Sequence, residues 1–172
     1  MNTANKLTML RVFLIPVFLL LAYTQLMYAA FAVYIIACIT DFVDGYVARH
    51  YNQTTNFGKF MDPLADKVLV AAAMCYFVEV GWMPGWVLAV VLLREFAVSG
   101  MRLIAVEQGK VIAAAWSGKV KTASTMVCLS AMLLFGQIVP VRIVSSALIL
   151  ITTVYSGIEY FWKNKDVFKN VD

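Results

Sequence analysis

The sequence predicts an all-α protein, a polytopic membrane protein made of a bundle of about six transmembrane helices with both termini in the cytoplasm. Hydrophobic residues make up 62% of the 172 positions, and the mean hydropathy is +0.81. Long apolar runs also follow one another with only short polar breaks between them. A soluble domain of this length does not need so much apolar surface. Because no internal repeat, low-complexity tract or linker divides the chain, residues 1–172 are expected to form a single transmembrane domain.

Six apolar runs of roughly the length needed to cross a bilayer predict the helices. They are, approximately, residues 7–26, 28–49, 62–80, 87–106, 122–138 and 141–162. The first run has the positive start of a signal peptide, but further apolar runs follow at once, which favours a membrane helix. Pro63 suits the first position of a helix, so Asp62 could be an N-cap, a functional carboxylate or both, and Pro140 is expected to open the last helix.

The distribution of Lys and Arg predicts the orientation of the bundle. The turns at Gly81 and Gln137 carry neither residue type, whereas most basic residues fall near the opposite face. These are Lys6, Arg11, Arg49, Lys59, Lys67, Arg102, Lys110, Lys119, Lys121, Lys163, Lys165 and Lys169. The positive-inside rule therefore places that face in the cytoplasm of a cell, with Arg142 as an exception to which the sequence assigns no function. The net charge of +4 is attributed to cytoplasmic loops that lie beside anionic lipid, and no nucleic-acid partner is expected.

Four carboxylates lie close together at the cytoplasmic ends of the second and third runs. Asp41 and Asp44 are three residues apart, and Asp62 and Asp66 are four apart, so each pair projects from one face of its helix. A charge at bilayer depth costs at least about 2.5 kcal/mol, which makes intramembrane acids a functional-site hypothesis. Hard oxygen ligands suit Mg²⁺ or Mn²⁺, so the four acids predict a site for two divalent ions.

The residues between these acids suit a phosphate ligand. Gly45 and Ala48 remove side-chain bulk where a nucleotide would approach, and Arg49 presents a planar fork to a phosphate. The only histidine, His50, follows in a polar loop and is interpreted as a surface or headgroup contact more than as a catalytic group. Cys38, Cys75 and Cys128 lie in apolar runs without metal-site spacing and are expected to be reduced thiols.

The whole stretch follows the pattern D-x2-D-G-x2-A-R-x8-G-x3-D-x3-D. It resembles the signature of the CDP-alcohol phosphatidyltransferases, integral membrane enzymes of phospholipid synthesis, and every fixed position is met. The resemblance implies that Asp41, Asp44, Asp62 and Asp66 bind the metals and that Asp66 is also the catalytic base. An N-x-L-T-x-x-R segment at residues 5–11 resembles the N-terminal part of the same family's lipid-nucleotide site. The residues implied to bind CDP-diacylglycerol are Gly45, Ala48, Arg49, Asn5, Thr8 and, more weakly, Thr55.

Basic residues of the fourth and fifth runs predict an acceptor that is itself a phosphate. The residues are Arg94, Arg102, Lys119 and Lys121. Arg94 could instead pair with Glu95 or with a neighbouring helix. The strings R-E-F-A-V-S-G-M-R, G-K-V-K-T and S-G-I-E-Y-F resemble a bacterial subgroup that forms phosphatidylglycerophosphate, which implies glycerol-3-phosphate as acceptor and CMP as the second product.

Other readings stay open at this stage. Inositol phosphate, serine or phosphatidylglycerol could replace glycerol-3-phosphate as acceptor, and a covalent intermediate could replace direct displacement. A divalent-cation transporter would also place acids in a membrane, but it would be expected to carry charges near mid-membrane on several helices. Members of the family are commonly homodimers, and Ala71-Ala72-Ala73 is a weak hint of helix packing.

Overall fold

The computed structural model describes the backbone of residues 3–50, 56–110, 112–113 and 115–170. Within these ranges the side chains of residues 3–7, 41–50, 56–60, 62–63 and 168–170 lie outside the description. The described residues form six α-helices and no strand. The helices are α1 (Thr3–Tyr23), α2 (Met27–His50), α3 (Asn56–Glu79), α4 (Gly85–Glu107), α5 (Trp116–Phe135) and α6 (Val139–Lys163), followed by a 3₁₀ helix over Lys165–Asn170. The all-helical prediction and the number of long helices are confirmed.

The helices pack side by side in a closed ring. Starting from α1, each helix contacts the next in the order α1, α3, α4, α6, α5, α2, and α2 returns to α1. Short turns join α1 to α2, α3 to α4 and α5 to α6 at one end of the bundle. The last residues of α2 and α4 and the first residues of α3 and α5 lie at the other end of the bundle.

Two predicted helix starts were wrong. Helix α3 begins at Asn56, so Asp62 and Pro63 lie within it and Asp62 is not its N-cap. A proline removes one backbone donor, but helices that cross membranes tolerate this because neighbouring groups satisfy the freed carbonyl. Helix α5 begins at Trp116, so Lys119 and Lys121 belong to the helix instead of the preceding connection. The predicted start of α6 is confirmed, since a proline occupies its first turn.

Large apolar side chains cover the outside of the ring. Among the most exposed are Phe13, Leu20, Leu93, Phe96, Leu103, Val127, Ile143, Ile151 and Ile158, each at least 62% exposed. Soluble monomers rarely expose continuous apolar surface of this extent, so the belt indicates a lipid environment. By length and composition, Val139–Lys163 is the one described helix that passes as a complete membrane span, and Thr8–Tyr23 and Met27–Thr40 are shorter apolar stretches.

Candidate active site

Asp66 lies on α3 beside a fully buried arginine of α1. Arg11 Nη1 donates to Asp66 Oδ1 at 2.9 Å, and the Arg11 side chain is 0% exposed while that of Asp66 is 34% exposed. Thr8, one helical turn before Arg11, is also buried. The guanidinium contacts one carboxylate oxygen, and about a third of the Asp66 side chain stays exposed. Asp66 is therefore oriented by Arg11 and can still contact a ligand.

The remaining residues of the acidic motif and of the predicted nucleotide site lie outside the described side chains. They are Asp41, Asp44, Asp62, Gly45, Ala48, Arg49, Asn5 and Thr55. The backbone puts the first two aspartates in the last turns of α2 and Asp62 one turn before Asp66 on α3. Among the described side chains, no group of three possible metal ligands is found. The metal assignment therefore stays a prediction.

A charged cluster joins α4 and α5 inside the ring. Glu95 Oε1 accepts from Lys121 Nζ at 2.7 Å and from Arg94 Nη1 at 3.0 Å. Exposure of the three side chains is low, at 5% for Lys121, 12% for Arg94 and 19% for Glu95. The sequence left open whether Arg94 pairs with Glu95 or with a neighbouring helix. The structure shows the pair, and Glu95 also binds Lys121 on a neighbouring helix. Because one carboxylate pairs with two cations, the cluster carries a net positive charge.

Small residues let Arg94 reach α6. Arg94 Nη2 donates to Ser156 Oγ at 2.5 Å. A Cβ atom added to Gly118 would lie 3.5 Å from Arg94 Nη2, and one added to Gly157 would lie 3.4 Å from Arg94 Cγ. The Arg94 side chain is therefore packed against α5 and α6 and hydrogen-bonded to α6. Such packing fixes the direction of the planar guanidinium, as binding of a phosphate through two donors requires.

Lys67 connects this cluster to the aspartate side of α3. Its Nζ donates to Ser99 Oγ on α4 at 2.5 Å, and it lies near enough to act electrostatically on Glu95 and Lys121. Because Lys67 follows Asp66 directly, the carboxylate and the cluster lie at the same depth of the bundle. Lys67, Glu95, Ser99 and Ser156 were not predicted as site residues. Their only signal in the sequence is polarity within apolar runs, which does not reveal the partners.

The other two predicted acceptor residues lie apart from the cluster. Arg102 is eight residues beyond Arg94 on α4, about 12 Å along the axis, and its Nε donates to Tyr160 OH at 2.9 Å. Its guanidinium carbon also lies 5.5 Å from the centre of the Tyr160 ring. Lys119 is exposed, with Nζ 6.0 Å from the centre of the Trp116 ring. The structure thus brings Arg94 and Lys121 together, and places Arg102 and Lys119 elsewhere at the same end.

Comparison with known proteins decides the family. Residues 1–156 match the family model described as CDP-alcohol phosphatidyltransferase. The chain belongs to that family. The matched segment contains α1 to α5 and most of α6. It therefore includes the Arg11–Asp66 pair and the whole cluster of Arg94, Glu95 and Lys121. Members are transferases, which confirms the enzyme class expected from the aspartate pattern.

Three relatives of this CDP-alcohol phosphatidyltransferase have curated names. The CDP-diacylglycerol–glycerol-3-phosphate 3-phosphatidyltransferase of Bacillus subtilis is 40% identical over 190 residues, covering 98% of this chain and 97% of the relative. A probable phosphatidylglycerophosphate synthase of Mycobacterium tuberculosis is 38% identical over 167 residues, covering 92% and 79%. The CDP-diacylglycerol–glycerol-3-phosphate 3-phosphatidyltransferase of Escherichia coli is 42% identical over 136 residues, covering 75% of each chain.

Proposed function

We propose that this protein transfers the phosphatidyl group of CDP-diacylglycerol to sn-glycerol-3-phosphate, giving phosphatidylglycerophosphate and CMP. The observation that carries the proposal is the buried cluster of Arg94, Lys121 and Glu95, which lies at the depth of Asp66 in a chain whose relatives carry the name of this reaction. Family membership gives the donor and the type of reaction. The cluster supplies what a phosphorylated acceptor needs.

The charge of the cluster favours an anionic acceptor. Two cations, Arg94 and Lys121, contact the single Glu95 carboxylate, and Lys67 lies on the neighbouring helix with its Nζ on Ser99, so positive charge is in excess in a poorly hydrated region. A dianionic glycerol phosphate brought beside a pyrophosphate would be repelled without such cations. Charge-assisted hydrogen bonds to phosphate contribute about 1.5 to 3 kcal/mol each. Serine carries no phosphate, and phosphatidylglycerol is larger and has no terminal phosphate, so both fit this cluster less well.

The aspartate donor set suits two Mg²⁺ or Mn²⁺ ions. Its members are oxygen ligands, and the one with a described side chain, Asp66, pairs with Arg11 and is 34% exposed. Asp41, Asp44, Asp62 and Asp66 would hold the ions, which would neutralise the pyrophosphate and the leaving CMP. Gly45, Ala48 and Arg49, with Thr55, Asn5 and Thr8, would contact the nucleotide-lipid.

In this reaction the protein mainly positions the two substrates and accepts a proton. The hydroxyl oxygen of glycerol-3-phosphate forms a bond to the β-phosphorus of CDP-diacylglycerol, and the bond from that phosphorus to the CMP oxygen breaks. Asp66 accepts the proton of the attacking hydroxyl, while the cluster around Arg94 and Lys121 holds the acceptor's own phosphate. Direct displacement needs no protein nucleophile.

The bundle is placed in the cell membrane with its longer connections and both termini in the cytoplasm. The exposed apolar belt supports membrane insertion, and the basic residues Arg102, Lys110 and Lys119 support the cytoplasmic side for the end that carries Asp66. Water-soluble glycerol phosphate and CMP can enter and leave there while the acyl chains stay in the bilayer. We also propose a homodimer, as is common in the family.

Product identification tests the proposal. The purified protein, in detergent with Mg²⁺, is given labelled CDP-diacylglycerol and one acceptor at a time: glycerol-3-phosphate, inositol phosphate, serine or phosphatidylglycerol. The expected lipid product is phosphatidylglycerophosphate, formed with equal CMP and absent from a parallel preparation of Asp66→Asn. A different lipid product would overturn the acceptor while leaving the enzyme class intact. Metal uptake by the protein reconstituted in sealed vesicles, without CMP release in detergent, would favour a cation transporter.

A further inference from the structure

A groove opens on the outside of the bundle at the end opposite Asp66. It encloses about 620 Å³ between the α3–α4 turn and the first turns of α6, within the size range of about 300 to 1,000 Å³ typical of ligand sites. Val87, Ile143, Ala147 and Leu150 give it apolar walls. Asp66 lies about 20 Å away along α3, since 14 helical residues separate it from the turn. The groove is therefore separate from the proposed active site.

Trp82 forms a fixed wall of this groove. Its ring stacks on Phe77, with centroids 5.8 Å apart and planes 14° from parallel. A Cβ atom at Gly136 would collide with the ring, so the α5–α6 turn presses against it from the other side. The guanidinium carbon of Arg142 lies 4.5 Å from the centre of the same ring. The groove thus has a rigid aromatic face with a cation on it.

Two polar groups in the groove keep hydrogen-bonding capacity that the described residues do not use. Arg142 Nε donates to the carbonyl oxygen of Gly136, but no carboxylate pairs with Arg142 in the described ranges. Ser146 lies one turn further along α6, lines the groove and is 8% exposed. Within the same ranges its hydroxyl has no hydrogen-bond partner. A ligand with a negatively charged hydrogen-bond acceptor could pair with Arg142 and accept from the Ser146 hydroxyl in this apolar groove.

We infer that this groove binds a phospholipid with an anionic headgroup, with the phosphate at Arg142 and Ser146 and an acyl chain along the apolar wall. The inference rests on the membrane placement in the proposed function, which puts the two tryptophans Trp82 and Trp86 at the interface of the leaflet away from the active site. Arginine binds phosphate through two parallel donors, and the indole ring fixes the guanidinium without neutralising it. A lipid satisfies the walls and the cation together, which a free phosphate would not.

Quenching of tryptophan fluorescence by brominated lipid tests this site directly. The probe is the full-length protein with Trp86, Trp116 and Trp162 changed to Phe, so that Trp82 is the only emitter. Brominated phosphatidylglycerol and brominated phosphatidylcholine are titrated into detergent micelles. We expect half-maximal quenching at a concentration at least about tenfold lower for phosphatidylglycerol, because both lipids carry the phosphate but the choline of phosphatidylcholine adds a positive charge beside Arg142.

Variants separate a built site from general attraction of anionic lipid. Arg142→Gln should weaken phosphatidylglycerol quenching by about tenfold or more, and Ala147→Phe should block it by filling the groove without adding a tryptophan. Lys110→Gln removes an exposed charge at the other end and should change nothing. Turnover of Arg142→Gln with saturating substrates should equal that of the parent, so failure here is distinct from failure of the proposed reaction.

Three results would overturn the inference: equal quenching by the two lipids, equal effects of Arg142→Gln and Lys110→Gln, or displacement of the lipid by millimolar glycerol phosphate. The first would mean a non-selective lipid annulus, the second a general charge effect, and the third a site for soluble phosphate.

Discussion

Glu95→Gln is the substitution that most directly tests the buried cluster. Glu95 is the carboxylate that neutralises Arg94 and Lys121, at 3.0 and 2.7 Å, and all three side chains are at most 19% exposed. The amide of glutamine keeps the shape and can still accept a hydrogen bond, but it removes the negative charge. Two cations would then face each other in a region with little water.

The expected loss of stability is large for one substitution. Removing one partner of a buried ion pair costs about 3 to 5 kcal/mol, because the charge left behind stays buried. At roughly 2 to 4 °C per kcal/mol for a chain of this length, the Tm falls by roughly 6 to 20 °C. If Lys121→Met is combined with Glu95→Gln, one of the two unpaired cations is gone, so the loss should be smaller than the sum of the single losses.

Thermal unfolding of purified protein in detergent measures the effect. Glu107→Gln is the matched control, since Glu107 is on the same helix, is exposed and forms no ion pair among the described residues. Its Tm should lie within about 2 °C of the parent, as for ordinary surface changes. A Glu95→Gln protein that melts together with Glu107→Gln would refute the cluster as a buried, mutually dependent set of charges.

Three further predictions follow from the proposed site. Lys121→Met should raise the KM for glycerol-3-phosphate about tenfold and leave the KM for CDP-diacylglycerol unchanged. Lys110→Met is the control and should alter neither value in steady-state kinetics. An unchanged KM for glycerol-3-phosphate in Lys121→Met would exclude Lys121 from the acceptor site. Activity should vanish in excess chelator and return with Mg²⁺ or Mn²⁺, while Asp66→Asn should stay inactive after metal is restored; full activity in chelator would rule out the metals. Single cysteines at Lys110 and Gln137 in a cysteine-free background should react with impermeant reagents from opposite sides of the membrane, and labelling of both from outside would contradict the topology.

The long helices could be predicted because the bilayer imposes a simple pattern on the chain. Apolar runs of about 20 residues separated by polar breaks indicate six helices, and Pro140 indicated the start of α6 correctly. Starts in polar sequence were harder. Asp62-Pro63 has the form of a helix start, yet α3 continues six residues further towards Asn56. A local signal for a cap is outweighed where the preceding residues also pack as helix.

The partners of the charged side chains could not be predicted in the same way. The sequence indicated that Arg94 and Glu95 needed partners. That Lys121 is the partner of Glu95, and Ser156 the partner of Arg94, depends on the rotation and depth of α5 and α6, which only the structure gives. Arg11 and Asp66 are 55 residues apart, and their contact depends on α1 and α3 being neighbours in the ring. Periodicity within one helix carries no information about such contacts. Which residues of the motif are functional stays a prediction, and the packing assigns a partner to Asp66, the motif aspartate whose side chain is described.

The three short turns divide the molecule into helical hairpins: α1 with α2, α3 with α4, and α5 with α6. The second hairpin can enter the bilayer with Arg94 and Glu95 already neutralising each other, because both lie on α4. Lys121 has no such companion until the third hairpin docks against the second. Completing the bundle therefore relieves an uncompensated charge, and a chain interrupted before α5 would lack Lys121. Assembly of the last hairpin is thereby coupled to completion of the proposed acceptor site, so a partly assembled chain should be inactive rather than unselective.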